Sequence, residues 1–98
     1  MYIVRDIFNL KFGHYKDAKA LLDEASKKDL LPQQNGNRIL SDFTGDAYRL
    51  VFEQQFDSLS DYEKSLSGSM AKNDWQNWYG KFKDHVERSH REILKEVK

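Results

Sequence analysis

At 98 residues, 39% of them hydrophobic, the chain has material for one domain spanning residues 1–98 and for one modest core, so it needs neither disulfides nor a metal staple. Sixteen Lys and Arg balance sixteen Asp and Glu, which denies the excess positive field that nucleic acid demands, and the absence of Cys excludes thiol nucleophiles, Cys-ligated zinc and disulfide scaffolds while suiting a reducing cytoplasm. No apolar run approaches the roughly 20 residues of a membrane span, and Arg5 and Asp6 interrupt the apolar N-terminus where a signal-peptide core would lie, so a cytoplasmic protein without nucleic acid or membrane as partner is expected.

Residues 2–11 are rich in β-branched and aromatic types and read as a first strand. One face carries Tyr2, Val4, Asp6, Phe8 and Leu10, and the other Ile3, Arg5, Ile7 and Asn9. Both faces are partly apolar, unlike a strand wetted on one side. Gly13 then permits a turn. Tyr15, Ala18, Leu21, Leu22 and Ala25 recur at helical spacing among charged residues, which predicts an amphipathic helix ending near Leu30, before Pro32 and a loop from Gln33 to Asn37.

Arg38–Thr44 and Ala47–Phe56 are strand-like runs joined around Thr44-Gly45-Asp46, which predicts a β-hairpin. A second helix starts after Phe56, with Ser58 or Ser60 as N-cap and an acidic residue three positions later. It is expected to pause at Ser67-Gly68-Ser69 and resume near Asn73, with Trp75, Trp78, Tyr79 and Phe82 on one stripe. The C-terminus fits two periods. Phe82, Val86, Ile93 and Val97 suit a helix, whereas Arg91, Ile93, Lys95 and Val97 suit an alternating strand. A strand at about 90–97 would complete a four-stranded antiparallel sheet in the order β-α-β-β-α-β, the ferredoxin-like α+β arrangement, and that is the expectation.

This order, the Gly13 turn, and the stretches Tyr2 to Gly13, Leu50 to Glu63 and the Trp-rich helix running into Ser89-His90-Arg91-Glu92-Ile93-Leu94 resemble the dimeric α+β barrel superfamily, within it NIPSNAP-like and antibiotic-biosynthesis-monooxygenase-like proteins. The likeness covers nearly the whole chain, but its motifs are architectural. It implies a protomer with two helices on one sheet face, the other face packed on a second copy, and a ligand pocket between sheet and helices. The two-sided apolar strands agree, because two helices cover only one face and a symmetric dimer would cover the other. Members of such families include cofactor-independent oxygenases, cyclases, isomerases and haem-degrading enzymes, so the likeness leaves the reaction open.

His14, His85 and His90 lack metal-ligand spacing, and neither a metal nor a nucleotide cofactor is expected. A surface or capping role is the ordinary reading of each. The functional alternative is acid–base chemistry by His14, at the mouth of the pocket, or His90, on the last strand. Trp75, Trp78, Tyr79 and Phe82, joined by Tyr62, are ordinarily core or interface; as a functional set they would form a flat wall for an apolar or aromatic ligand. Arg5, Asp6, Asp42, Arg49 and Glu53 read first as cross-strand ion pairs, with Arg49 or Arg5 orienting an anionic oxygen as the alternative. Two functions follow. One is a homodimer that binds a small apolar or aromatic molecule and oxygenates or isomerises it; the other is a non-catalytic structural or interaction dimer with a filled core.

Overall fold

The computed structural model describes residues 1–28, 37–44, 48–70 and 73–98. Four strands, β1 (Tyr2–Leu10), β2 (Arg38–Ser41), β3 (Arg49–Phe56) and β4 (Val86–Lys95), form one antiparallel sheet in the order β2-β3-β1-β4. Helices α1 (Tyr15–Lys27), α2 (Leu59–Met70) and α3 (Asn73–Phe82) lie between them in sequence, and a 3-10 turn at Lys83–His85 leads from α3 into β4. This is the expected ferredoxin-like α+β architecture. The C-terminal segment is a strand, as expected, and it pairs with β1.

Alternation along β1 divides the sheet into two faces. Val4 packs with Phe56 and Tyr62 of α2, and Leu10 and Leu50 pack with Ala18, Leu22 and Ala25 of α1 and with Trp78 and Phe82 of α3. The even-numbered residues of β1 therefore face the helices. Ile3, Arg5, Ile7 and Asn9 point the other way, beside Gln55, Glu53, Val51 and Arg49 on β3 and Leu94, Glu92, His90 and Arg88 on β4.

Element ends differ from the sequence reading where local contacts override propensity. β4 starts at Val86 rather than near residue 90, because the 3-10 turn hands its chain directly to β1: Lys11 N–H donates to His85 O at 3.0 Å, and a register shift sets Val86 opposite Leu10. β2 stops at Ser41 and β3 starts at Arg49, since Asp42 turns aside to Arg49 and Tyr48 has a φ of 63°. That left-handed conformation, uncommon for a residue with a ring, lets Tyr48 O accept from Leu10 N–H at 2.8 Å. The expected pause at Ser67–Ser69 is absent, and α2 runs through to Met70. Ser65 Oγ donates to Tyr62 O and Ser67 Oγ to Glu63 O, so these hydroxyls are spent on the helix's own carbonyls rather than on breaking it. Of the two candidate caps, Ser58 is the one used: its Oγ accepts from Asp61 N–H at 3.1 Å. Gly13 occupies the expected turn with φ 83°. The predicted helix end at Leu30, the Pro32 break, the loop from Gln33 to Gly36 and the Gly45-Asp46 turn lie outside the described residues.

Candidate functional site

The aromatic stripe of α3 divides between core and surface. Trp78 and Phe82 are buried, stacked at 5.0 Å, with Phe82 edge-on to Phe8 at 5.0 Å. Trp78 Nε1 donates to Leu21 O at 2.6 Å, which anchors α3 on α1 and satisfies the one polar atom that burial would otherwise orphan. Trp75 and Tyr79 stack on each other at 4.9 Å on the outer side, with Tyr79 exposed. The four α3 aromatics thus meet as helix packing, while Tyr62, expected to join them, packs apart with Val4 and Phe56; Trp78's remaining edge lines an open concavity between α1 and α3 with Glu24, Lys28 and Lys81.

The strand charges are engaged. Glu53, 1% exposed on the helix-free face, is held by Arg5 Nε at 2.9 Å and by the Arg38 guanidinium. Arg38 is the largest influence holding the Glu53 carboxyl below the usual carboxylate range, against burial and with help from Arg5. Arg49 binds Asp42 through Nε at 3.0 Å and a terminal nitrogen at 2.9 Å, so it does not present a free cation. On the helix side Arg91 Nε meets Asp6 Oδ1 at 2.5 Å, and its guanidinium lies 5.5 Å from the Tyr62 ring centroid.

Beside this last pair lie two buried groups that sequence reasoning did not connect. Gln54 is 2% exposed and Tyr62 7% exposed; Gln54 Nε2 has no hydrogen-bond partner, whereas the Tyr62 hydroxyl has the Arg91 guanidinium beside it. Gln54 stands opposite Val4 on β1, one step along the helix-facing side from Phe52 opposite Asp6. Burial pushes the Tyr62 phenol up, Asp6 adds to the rise and Arg91 opposes it. A buried polar atom left unpaired costs about 1–3 kcal/mol, so this row of Asp6, Gln54, Tyr62 and Arg91 is where the helix-covered face could hold a polar group of a ligand. The alternation of β3 placed Gln54 among apolar neighbours in the sequence; only the coordinates reveal that its amide lacks a partner.

The histidines fall in two places. His90 pairs with Ile7 in register and therefore sits on the helix-free face, not in the sheet–helix space expected for a strand residue near a pocket. His14, just before α1, has its Nδ1 2.9 Å from Nδ1 of His85. Seventy-one residues separate the two, so no spacing rule could have joined them. Among the described residues no group of three or more His, Asp or Glu is arranged to hold a metal ion, and no helix is long and apolar enough to cross a membrane.

No family model matches the sequence, and no curated protein does. Solved structures are similar over nearly the whole chain. A NIPSNAP family protein from Agrobacterium tumefaciens superposes with a TM-score of 0.88 at 15% identity, covering 98% of this chain and 85% of that one. An uncharacterized NIPSNAP domain protein from Burkholderia xenovorans gives 0.86 at 13% identity, covering 99% and 95%. A candidate antibiotic biosynthesis monooxygenase from Nitrosomonas europaea gives 0.73 at 16% identity with complete coverage of both. At these identities the likeness is one of fold. The chain therefore carries the ferredoxin-like α+β fold of the NIPSNAP and antibiotic-biosynthesis-monooxygenase-like proteins.

Proposed function

We propose that the chain acts as a homodimeric binding module, cytoplasmic and non-catalytic, in which two copies pair through their helix-free sheet faces. The observation that carries this reading is an antiparallel sheet with helices on one face only, whose other face carries an apolar strip among its charges: Ile3, Ile7 and Val51, with Leu40 and Leu94 38% and 40% exposed. Charges on that face are compatible with being covered, because Glu53 already binds Arg5 and Arg38 and Glu92 stands opposite Arg5. A self-complementary patch of about 800 Å² per subunit is the usual size for such a contact. Light scattering coupled to size exclusion tests it. The expected mass is twice the 11.6 kDa of one chain, and Leu94→Glu, a charge on the exposed face, should return the mass to that of one chain with an unchanged far-UV circular dichroism spectrum. A wild-type monomer at about 100 μM, a concentration at which even a weak specific dimer populates, would refute it.

A second reading, that the module takes a small, largely apolar molecule between sheet and helices, is favoured by Gln54 Nε2, a buried donor without a partner. This donor suits a ligand that carries a hydrogen-bond acceptor, such as a ketone or quinone oxygen, against Val4, Phe52 and Phe56. The oxygenase activity in one neighbour's name would further require a group free to move a proton there. Asp6 and Arg91 hold each other, His14 holds His85, and His90 lies on the other face, which is why binding rather than catalysis is proposed. A thermal-shift screen of quinones and aryl ketones against wild type and Gln54→Met separates the two cases. A ligand that stabilises wild type and not the variant supports the pocket. If the variant alone is stabilised relative to wild type, with no ligand found, the row is an unfilled defect of a packed core.

A further inference from the structure

The His14–His85 pair is unused by either reading above. Its geometry is fixed by backbone: Lys11 N–H donates to His85 O, His14 N–H to Lys11 O, and Ala18 N–H to His14 O, each at 3.0 Å. The turn from β1 into α1 is thereby clipped to the junction of α3 and β4, and the two rings hang from this clip with centroids 5.1 Å apart. Both are half-buried, and His85 lines an open concavity with Asp17, Glu24 and Asp84, in which Lys81 is the one lining cation.

We infer that His14 and His85 form a two-imidazole chelate for a first-row transition-metal dication, with Cu²⁺ preferred over Ni²⁺ and Zn²⁺. Two imidazole nitrogens, each about 2.0–2.1 Å from one ion, stand about 2.9 Å apart when they bind at a right angle and about 3.3 Å apart at the tetrahedral angle. The observed Nδ1···Nδ1 separation of 2.9 Å matches the right-angle spacing and is also the length of the N–H···N bond that joins the metal-free rings, so each ring turns to aim its Nδ1 lone pair at the ion. Cu²⁺ leads Ni²⁺ and Zn²⁺ by the general affinity order for nitrogen ligands. In the metal-free pair one ring donates its Nδ1 proton to the other. On binding, the donor ring becomes the Nε2–H tautomer, so both Nδ1 lone pairs reach the ion, both rings stay neutral and no proton need leave. Asp17 and Asp84 bring a negative field, the third carboxylate, Glu24, being paired with Lys28; Asp17 also offsets the positive end of α1, and water completes the coordination. Preorganisation by the three backbone bonds removes the ordering cost that leaves isolated surface histidines weak ligands.

The test is Cu²⁺ titration of the tag-free full chain, followed by calorimetry and by electron paramagnetic resonance. One Cu²⁺ per chain is expected, with hyperfine splitting from two imidazole nitrogens and a weaker response to Ni²⁺ and then Zn²⁺. His14→Ala and His85→Ala should each weaken binding by about tenfold or more and remove one nitrogen from the spectrum, and His90→Ala should change neither. His14→Asn and His85→Gln, which retain polar shape, guard against a merely unfolded variant, with circular dichroism reporting the fold. Equal affinity and an identical spectrum for wild type and all four variants at these two positions, or no stoichiometric binding by wild type, overturns the inference. Tighter binding of Zn²⁺ than of Cu²⁺ overturns the stated metal preference.

Discussion

Glu53 shows how a single residue ties the helix-free face together. Its carboxylate is almost fully removed from water and is stabilised by two guanidinium groups on neighbouring strands, so Glu53→Gln leaves Arg5 and Arg38 facing each other without a counter-charge. Because Arg5 and Arg38 are 39% and 59% exposed, water shields part of that repulsion, and the expected loss is about 1–3 kcal/mol in urea unfolding. The pH dependence has a definite sign. The folded-state pKa of Glu53 is lowered, so its stabilisation is complete above the ordinary carboxylate value and disappears as the pH falls through the folded value. Unfolding midpoints measured from pH 6 down to pH 3 should therefore drop more steeply for wild type than for Glu53→Gln, and parallel slopes would show that Glu53 is not the group responsible. The pairing of strand charges was legible in the sequence because opposite signs recur on strands that must neighbour one another. The partners were not, since Arg38 and Arg5 reach the same carboxylate only once β2 and β1 flank β3 in register.

At the scale of elements, a hydrogen bond and an aromatic cluster both anchor α3, and the two contribute differently. Phe82→Ala removes a ring wedged between Phe8 and Trp78 and leaves a cavity in the packed cluster, at a cost of about 3–5 kcal/mol. Trp78→Phe keeps most of the stack but leaves Leu21 O without its indole donor, at about 1–2 kcal/mol. Ser58→Ala, which deletes the N-cap of α2, should cost about 1 kcal/mol. Chemical denaturation of the three variants gives the order, and a Phe82→Ala loss no larger than that of Ser58→Ala would mean that α3 is not part of the cooperative core. Helix spacing announced Trp78 and Phe82 as one stripe, so their packing was readable from the chain. The continuation of α2 through Ser67-Gly68 was not, because the serine hydroxyls that break a helix elsewhere are here bonded to the preceding turn. β4 was visible in the alternation of Arg91, Ile93 and Lys95 together with the need to complete a four-stranded sheet, and its early start depended on a long-range bond from Lys11 to His85.

For the whole molecule, the proposed dimer makes stability depend on concentration. If folding and association are coupled through the helix-free face, unfolding of two chains from one dimer raises the melting temperature with protein concentration, whereas an isolated protomer melts at one temperature throughout. Wild type melted across a hundredfold range of concentration should shift upward by several degrees, and Leu94→Glu should not shift. A flat wild-type profile together with a dimer mass would mean that association is not coupled to folding. The same experiment bears on why the sequence spoke more clearly about architecture than about chemistry. Two-sided apolar strands with only enough helix for one side are a property of composition along β1 and β3, and they point to a covered second face without any structure. The contacts that would give the molecule a chemical task, Gln54 and Tyr62 beside Asp6 and Arg91, or His14 against His85, join residues from different ends of the chain. They depend on the strand order β2-β3-β1-β4, which sets β1 between β3, with Gln54 opposite Val4, and β4, with Arg91 opposite Asp6.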